Sequence, residues 1–396
     1  MKRIDRRGFL RTGITGAAGM MALSPAMIKA TESSQERNII YRTLGKTGLK
    51  IPVISFGVMR ADNANLCKAA YEKGITLFDT ANGYQNGNNE IMLGNLFASV
   101  PRKSFILATK VKPDRDRDGK PNAQTSPEAF LTKFNESLSR LKMDYVDILY
   151  VHDISTPELL EYKPIINTVK KLKKDGKVRF VGFSAHRNEP EVINAAADTD
   201  NWDVILTSYN FKQGYTTEMN SAIKKAAAAG IGIVAMKTMA GGGFLDKERT
   251  KPINSTAAIK WALSNPDVTT AIPGMTAFDH LDLNLKILED ITINEQEKKD
   301  LILANAETGL YCSGCRNCIP SCPKNLPVPD LMRAFMYAHG YSNPLMASSL
   351  LSELGTTSDP CKDCNVCTVN CTKSFNVREK IADISRLVNV PADFLA

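Results

Sequence analysis

Two sets of residues in this chain carry chemistry by their type and spacing. The first stands at the ends of short apolar runs: Phe78-Asp79-Thr80-Ala81-Asn82-Gly83-Tyr84, Ala108-Thr109-Lys110 and Tyr150-Val151-His152-Asp153. An apolar run that terminates in Asp, Lys or His places a costly group at its end unless partners satisfy it. Asp79, Tyr84, Lys110 and His152 together form a proton-transfer set. They supply a phenol, an ammonium that lowers the phenol's pKa, a carboxylate that orients the ammonium, and an imidazole within reach of the same substrate oxygen. The second set is cysteine. Eight of the nine fall in two runs of identical spacing, Cys312, Cys315, Cys318, Cys322 and Cys361, Cys364, Cys367, Cys371. Thiols this closely spaced cannot all find the separated partners that disulfide geometry requires. Structural zinc is the next simple alternative, but its four-cysteine sites usually draw on two separated pairs, whereas each run packs four sulfurs into one tight loop. Cys67 stands alone in a helical pattern and reads as a buried structural thiol.

The strand-end groups act together only if a scaffold gathers those ends. From Ile51 onward, short β-branched runs alternate with amphipathic segments, the pattern of repeated βα units and a parallel sheet. The candidate strands are Ile54–Met59, Thr76–Ala81, Phe105–Val111, Tyr145–Asp153, Val178–His186, Val204–Asn210, Ile231–Met239 and Val268–Gly274. Between them lie helical segments such as Pro127–Lys142, opened by Ser126 as N-cap with proline in the first turn, and Glu158–Lys174, closed by lysines and Gly176. Eight such units predict an α/β fold, a (β/α)8 TIM barrel, in which chemistry sits at the C-terminal strand ends. An open doubly wound sheet would carry G-x-G-x-x-G after its first strand, and none is present. Ile39–Pro52, with Gly45 and Gly48, reads as an N-terminal hairpin able to plug the barrel bottom.

The run C-x2-C-x2-C-x3-C followed by Pro323 is similar to bacterial ferredoxins, where the fourth cysteine of each run ligates the other [4Fe–4S] cluster. That resemblance implies two clusters, one on Cys312, Cys315, Cys318 and Cys371 and the other on Cys361, Cys364, Cys367 and Cys322, in a mostly helical ferredoxin-like C-terminal domain. Thr372 replaces the proline after the second run, and 38 residues separate the two runs. The barrel residues resemble the aldo/keto reductase superfamily over Ile39–Glu289, and the cysteine runs match its iron–sulfur-bearing branch. The resemblance implies Tyr84 as general acid, Lys110 and Asp79 tuning it, His152 orienting a small carbonyl or alcohol substrate, and NADP or NAD delivering hydride. It places Ser184 and Tyr209 at the nicotinamide, with Tyr209 stacked on the ring. Lys237, Gly241, Gly242 and Gly243 fall at the pyrophosphate, and Gly274 to Asn284 around the adenosine. Leu206 and Ala185 stand where the family often has amide side chains. Gly274, Met275, Thr276 and His280 stand where it often binds the 2′-phosphate, so NADP is less favoured over NAD.

The sequence has 396 residues, 43% hydrophobic, with a formal net charge of +8. Residues 1–30 hold six Lys and Arg against one Asp, so most of the excess lies there. The remainder forms no basic block with interleaved aromatics, which argues against nucleic acid. No apolar run approaches the roughly 20 residues of a membrane span. The N-terminus reads as an export signal, with Arg6-Arg7-Gly8-Phe9-Leu10 resembling the twin-arginine (Tat) motif, then an apolar stretch and small residues at a cleavage site. The expected organisation is a Tat signal over 1–30, a barrel over 39–290 and a cluster domain over 291–396. The expected function is that of a periplasmic oxidoreductase with a redox partner. The alternative is an electron-transfer protein whose barrel is a scaffold without nicotinamide turnover.

Overall fold

The computed structural model describes residues 38–116 and 118–395, and the signal expected over residues 1–30 lies outside them. The strands β1 (Tyr41–Thr43) and β2 (Lys50–Pro52) pair antiparallel, with Arg42 opposite Ile51. Eight strands follow: β3 (Phe56–Gly57), β4 (Leu77–Asp79), β5 (Ile106–Val111), β6 (Val146–Val151), β7 (Val178–Ala185), β8 (Val204–Ser208), β9 (Gly232–Met236) and β10 (Val268–Ala271). They pair in chain order, each parallel to the next. Parallel bridges from Ile54 to Ala271 and from Gly57 to Gly274 join the two edges and close the barrel. The strands are shorter than the apolar runs that marked them, yet backbone bonding continues past their ends. Val58 N donates to Asp79 O at 3.0 Å and Thr80 N to Ala108 O at 2.9 Å, so the residues at the mouth are anchored through the main chain.

Helix Pro127–Leu141 begins as expected, Ser126 Oγ accepting from Ala129 N at 3.1 Å. The helix expected over Glu158–Lys174 is instead two, Pro157–Leu160 and Lys163–Lys174. Pro164 explains the break: proline suits a first turn and drives the residue before it away from helical angles. Cys67 is fully buried in helix Ala64–Glu72.

Alternation along the strands sends one set of side chains into the barrel and the other toward the helices. Leu77, Ile148, Leu206 and Val234 fill the interior together with Leu44 and Ile51 of the hairpin. The hairpin thus plugs the bottom, and Gly45 lets its backbone lie against Gly230, with Lys46 N donating to Gly230 O at 2.6 Å.

Beyond the barrel come helices Glu295–Ala306, Val328–Phe335, Pro344–Glu353 and Val377–Ser385, with a π-helical turn at Met336–Gly340. Leu331, Phe335 and Ile381 from this region share one apolar cluster with Phe211, Ala240 and Ala258 of the barrel side. Among the described residues no helix is long and apolar enough to cross a membrane.

Candidate active site

Asp79 ends β4, Lys110 lies near the end of β5, and both are almost fully buried. The Lys110 ammonium donates to Asp79 Oδ1 at 2.5 Å, to Thr80 O at 2.7 Å and to the Tyr84 hydroxyl at 3.2 Å. Tyr84 is held by a tight loop in which Gln85 and Asn86 take left-handed backbone angles, and Gln85 Nε2 bonds the carbonyls of Met59 and Ala61. His152, just past β6, meets the Tyr84 ring edge-on at 6.3 Å between centroids. All four strand-end residues singled out in the sequence therefore meet at the barrel mouth.

Burial pushes the Tyr84 phenol up; the Lys110 charge pulls it the other way without overcoming burial. The expectation of a lowered phenol pKa is thus corrected, because desolvation of the phenolate outweighs one nearby cation. Lys110 stays above its ordinary value because Asp79 outweighs its burial. Burial, aided by Lys110, holds His152 well below its usual range, so its ring is neutral. The arrangement can pass a proton between a neutral phenol and an oxygen placed before it. Buried polar atoms without a partner gather at this end: Asp79 Oδ2, the Tyr150 hydroxyl, His186 Nδ1, Ser208 Oγ and Thr238 Oγ1.

The C-terminal domain sits on this mouth. Asp153, which the sequence left without a role, is its anchor: Arg115 pairs with it at 2.5 Å and Arg333 at 3.3 Å. Burial alone would raise its carboxyl, but Arg115 and Arg333 outweigh burial and hold it well below the usual range. Asp330 pairs with Arg187 and, at 2.9 Å, with Arg333. A small cavity between the two parts is lined by His186, Lys237, Arg333, Tyr311 and Cys312. Burial, then Arg333, draws the Lys237 ammonium down to about 7.

Cys312, Cys315, Cys318 and Cys371 surround a second cavity, and Cys322, Cys361, Cys364 and Cys367 a third. Val328 and Val377 line both. Gly314 N donates to Cys312 Sγ and Lys373 N to Cys371 Sγ, each at 3.4 Å. Among the described residues no three His, Cys, Asp or Glu side chains close on one point as ligands of a single ion do. Each quartet stands around a space instead, which suits a four-cornered iron–sulfur cube with backbone N–H groups directed at its thiolates.

The sequence model of the aldo/keto reductase family matches residues 54–257. The chain belongs to that family. A second model, the 4Fe-4S dicluster domain, matches residues 311–376. L-galactose dehydrogenase of Arabidopsis thaliana is 26% identical over 290 residues, covering 63% of this chain and 88% of that one. NADH-specific methylglyoxal reductase of Escherichia coli is 25% identical over 267 residues, covering 55% and 80%. An aldo-keto reductase of Bacillus halodurans, solved in its holo form, superposes with a TM-score of 0.55 at 24% identity over 67% of this chain and 96% of its own. That likeness carries the fold.

In this aldo/keto reductase the residues expected around a nicotinamide dinucleotide do not form one surface. Tyr209 falls on the outward parity of β8, opposite to Leu206; its ring packs on Trp261 at 4.9 Å and its hydroxyl donates to Asn220 at 2.6 Å. It is not placed to stack on a ring at the mouth, where β9 offers Met236 instead. Ser184 Oγ accepts from Asp153 N at 2.9 Å, fixing the anchor rather than facing a ligand. Two of the three glycines are covered: a Cβ on Gly242 would collide with the Gly340 carbonyl, and Gly241 lies against Leu310 and Tyr311, while Gly243 faces open space. Close backbone approach is the reason for glycine there, but the approaching group is the protein itself. At the adenosine end Gly274 is exposed, and Asn284 donates to His280 O at 2.8 Å while its Oδ1 lacks a partner.

Proposed function

We propose that this protein is a periplasmic oxidoreductase, exported by the Tat machinery, that interconverts a small carbonyl compound and its alcohol by way of its cluster domain. In this reading Tyr84 gives a proton to the carbonyl oxygen, or takes it back in the reverse direction. Lys110, locked by Asp79, holds the phenol oxygen in place through a hydrogen bond that leaves the phenol's own proton free. Neutral His152 orients the substrate oxygen, and the Gln85–Met59 and Gln85–Ala61 bonds keep the Tyr84 loop from moving.

A carbonyl and its alcohol differ by two electrons and two protons: Tyr84 supplies the proton on oxygen, water the proton on carbon, and two [4Fe–4S] clusters, each passing one electron at a time, would connect the site to a redox partner. The observation that carries the reading is the row of adjoining cavities. The cavity at His186, whose ring lies 5.7 Å from that of His152, shares Cys312 and Pro329 with the first quartet, and the first shares Val328 and Val377 with the second. Relatives named as a dehydrogenase and a methylglyoxal reductase support a small carbonyl or alcohol substrate. A compartment with no soluble nicotinamide pool agrees with electrons entering through the clusters.

The test uses holoprotein purified anaerobically without added nucleotide, offered small aldehydes and ketones with reduced methyl viologen or NADPH. Turnover with the viologen, about eight irons per chain, and a 10²–10⁴-fold loss in Tyr84→Phe are expected. One tightly bound nicotinamide per chain, or a Tyr84→Phe variant within tenfold of wild type, would overturn the reading. For export, replacing Arg6 and Arg7 by lysine should leave the protein in the cytoplasmic fraction, and continued appearance of the doubly substituted protein in the periplasm would rule out the Tat route.

A further inference from the structure

Several of the charges where barrel and cluster domain meet are paired. Lys112 is bound to Glu353, Arg115 and Arg333 to Asp153, and Arg187 and Arg333 to Asp330. The ammonium of Lys237, one residue past β9, makes no hydrogen bond or ion pair among the described residues; its neighbour is the Tyr337 ring, 5.4 Å from Nζ to the centroid. Its backbone has φ 56°, a left-handed conformation uncommon for a residue with a side chain. A cation partly withdrawn from water without an anionic partner is unfavourable. The cavity it lines is bordered on the other side by Cys312.

We propose that Lys237 is the counter-charge of the cluster held by Cys312, Cys315, Cys318 and Cys371, and that it raises this inner cluster's reduction potential. The inference rests on the cluster reading above. An oxidised core with four thiolates carries about −2, and one electron makes it about −3, so a fixed cation favours the reduced state. The outer quartet has its own cation in Arg378, which lines that cavity and donates to Asn365 O at 3.2 Å, so the effect of Lys237 is confined to the inner cluster. Val366, between two of its cysteines, is 75% exposed, and nearby Lys324 is spent on Pro360 O at 2.8 Å and Asp363 at 4.0 Å.

The experiment is a redox titration of the anaerobic holoprotein followed by electron paramagnetic resonance. Wild type should give two waves. Lys237→Met should lower one wave by a factor of about ten in its one-electron equilibrium, about 59 mV, and leave the other in place; Lys237→Arg should restore it. If both waves stay where they were, or both move together, Lys237 is not the counter-charge. Iron and sulfide analysis of the same samples separates this from a failure of the cluster reading, which would show as no iron in wild type. Should Lys237→Met lose its clusters, Lys237→Gln provides the same comparison with a side chain that still hydrogen-bonds.

Discussion

The barrel bottom is closed by Leu44 and Ile51, apolar side chains pressed into the interior layer, while at the mouth ion pairs centred on Asp153 and Asp330 work beside the apolar cluster that joins Leu331 and Phe335 to Phe211 and Ala240. Apolar closure is indifferent to proton concentration and has no partner to lose. Ionic closure depends on each member, because removing one leaves the other buried and uncompensated. One end is therefore built for permanence. The other is a contact whose strength can be set by charge, at the place where the proton-transfer residues lie.

Substitutions on either side would sharpen that contrast. Asp153→Asn strips Arg115 and Arg333 of their partner and should weaken the closed mouth by about 3–5 kcal/mol. Hydrogen exchange should speed up at Met336–Gly340 and Gly241–Gly243 while β1 and β2 stay protected; uniform protection would refute the ionic account. Leu44→Ala, at the other end, should cost about 2–5 kcal/mol of global stability. It should lower the melting temperature and leave turnover per folded molecule unchanged, and a selective loss of turnover would contradict the division.

Acid gives the smallest effect. The Asp153 carboxyl is held below its unfolded value of 3.8, so it stabilises the fold fully above that pH and loses its contribution as pH falls toward the folded value. Wild type should therefore lose more stability than Asp153→Asn between pH 5 and 3, and parallel curves would show that another group is responsible.

Much of the site was legible because it is local. The strand-end residues Asp79, Lys110 and His152, the Tyr84 loop and the cysteine spacing are all short-range patterns, and the structure gathers them at one end. What was missed depends on register or on distant partners. Whether Tyr209 faces in or out turns on a single residue of parity, and β8 pairs so that Leu206 takes the inner side. Gly242 meets the Gly340 carbonyl closely, and nothing nearby in sequence says that the approaching backbone is Gly340. Asp153 was visible as a strand-end acid, while its partners lie 38 residues upstream and 180 downstream.

The apolar cluster that spans both parts has a practical consequence for anyone dividing the molecule. Cutting the chain after Ala306 would strip the lid from Phe211, Ala240 and Ala258, leaving a greasy face where the intact protein presents none. A shortened catalytic half should clump on expression, so activity lost by truncation would say nothing about electron supply.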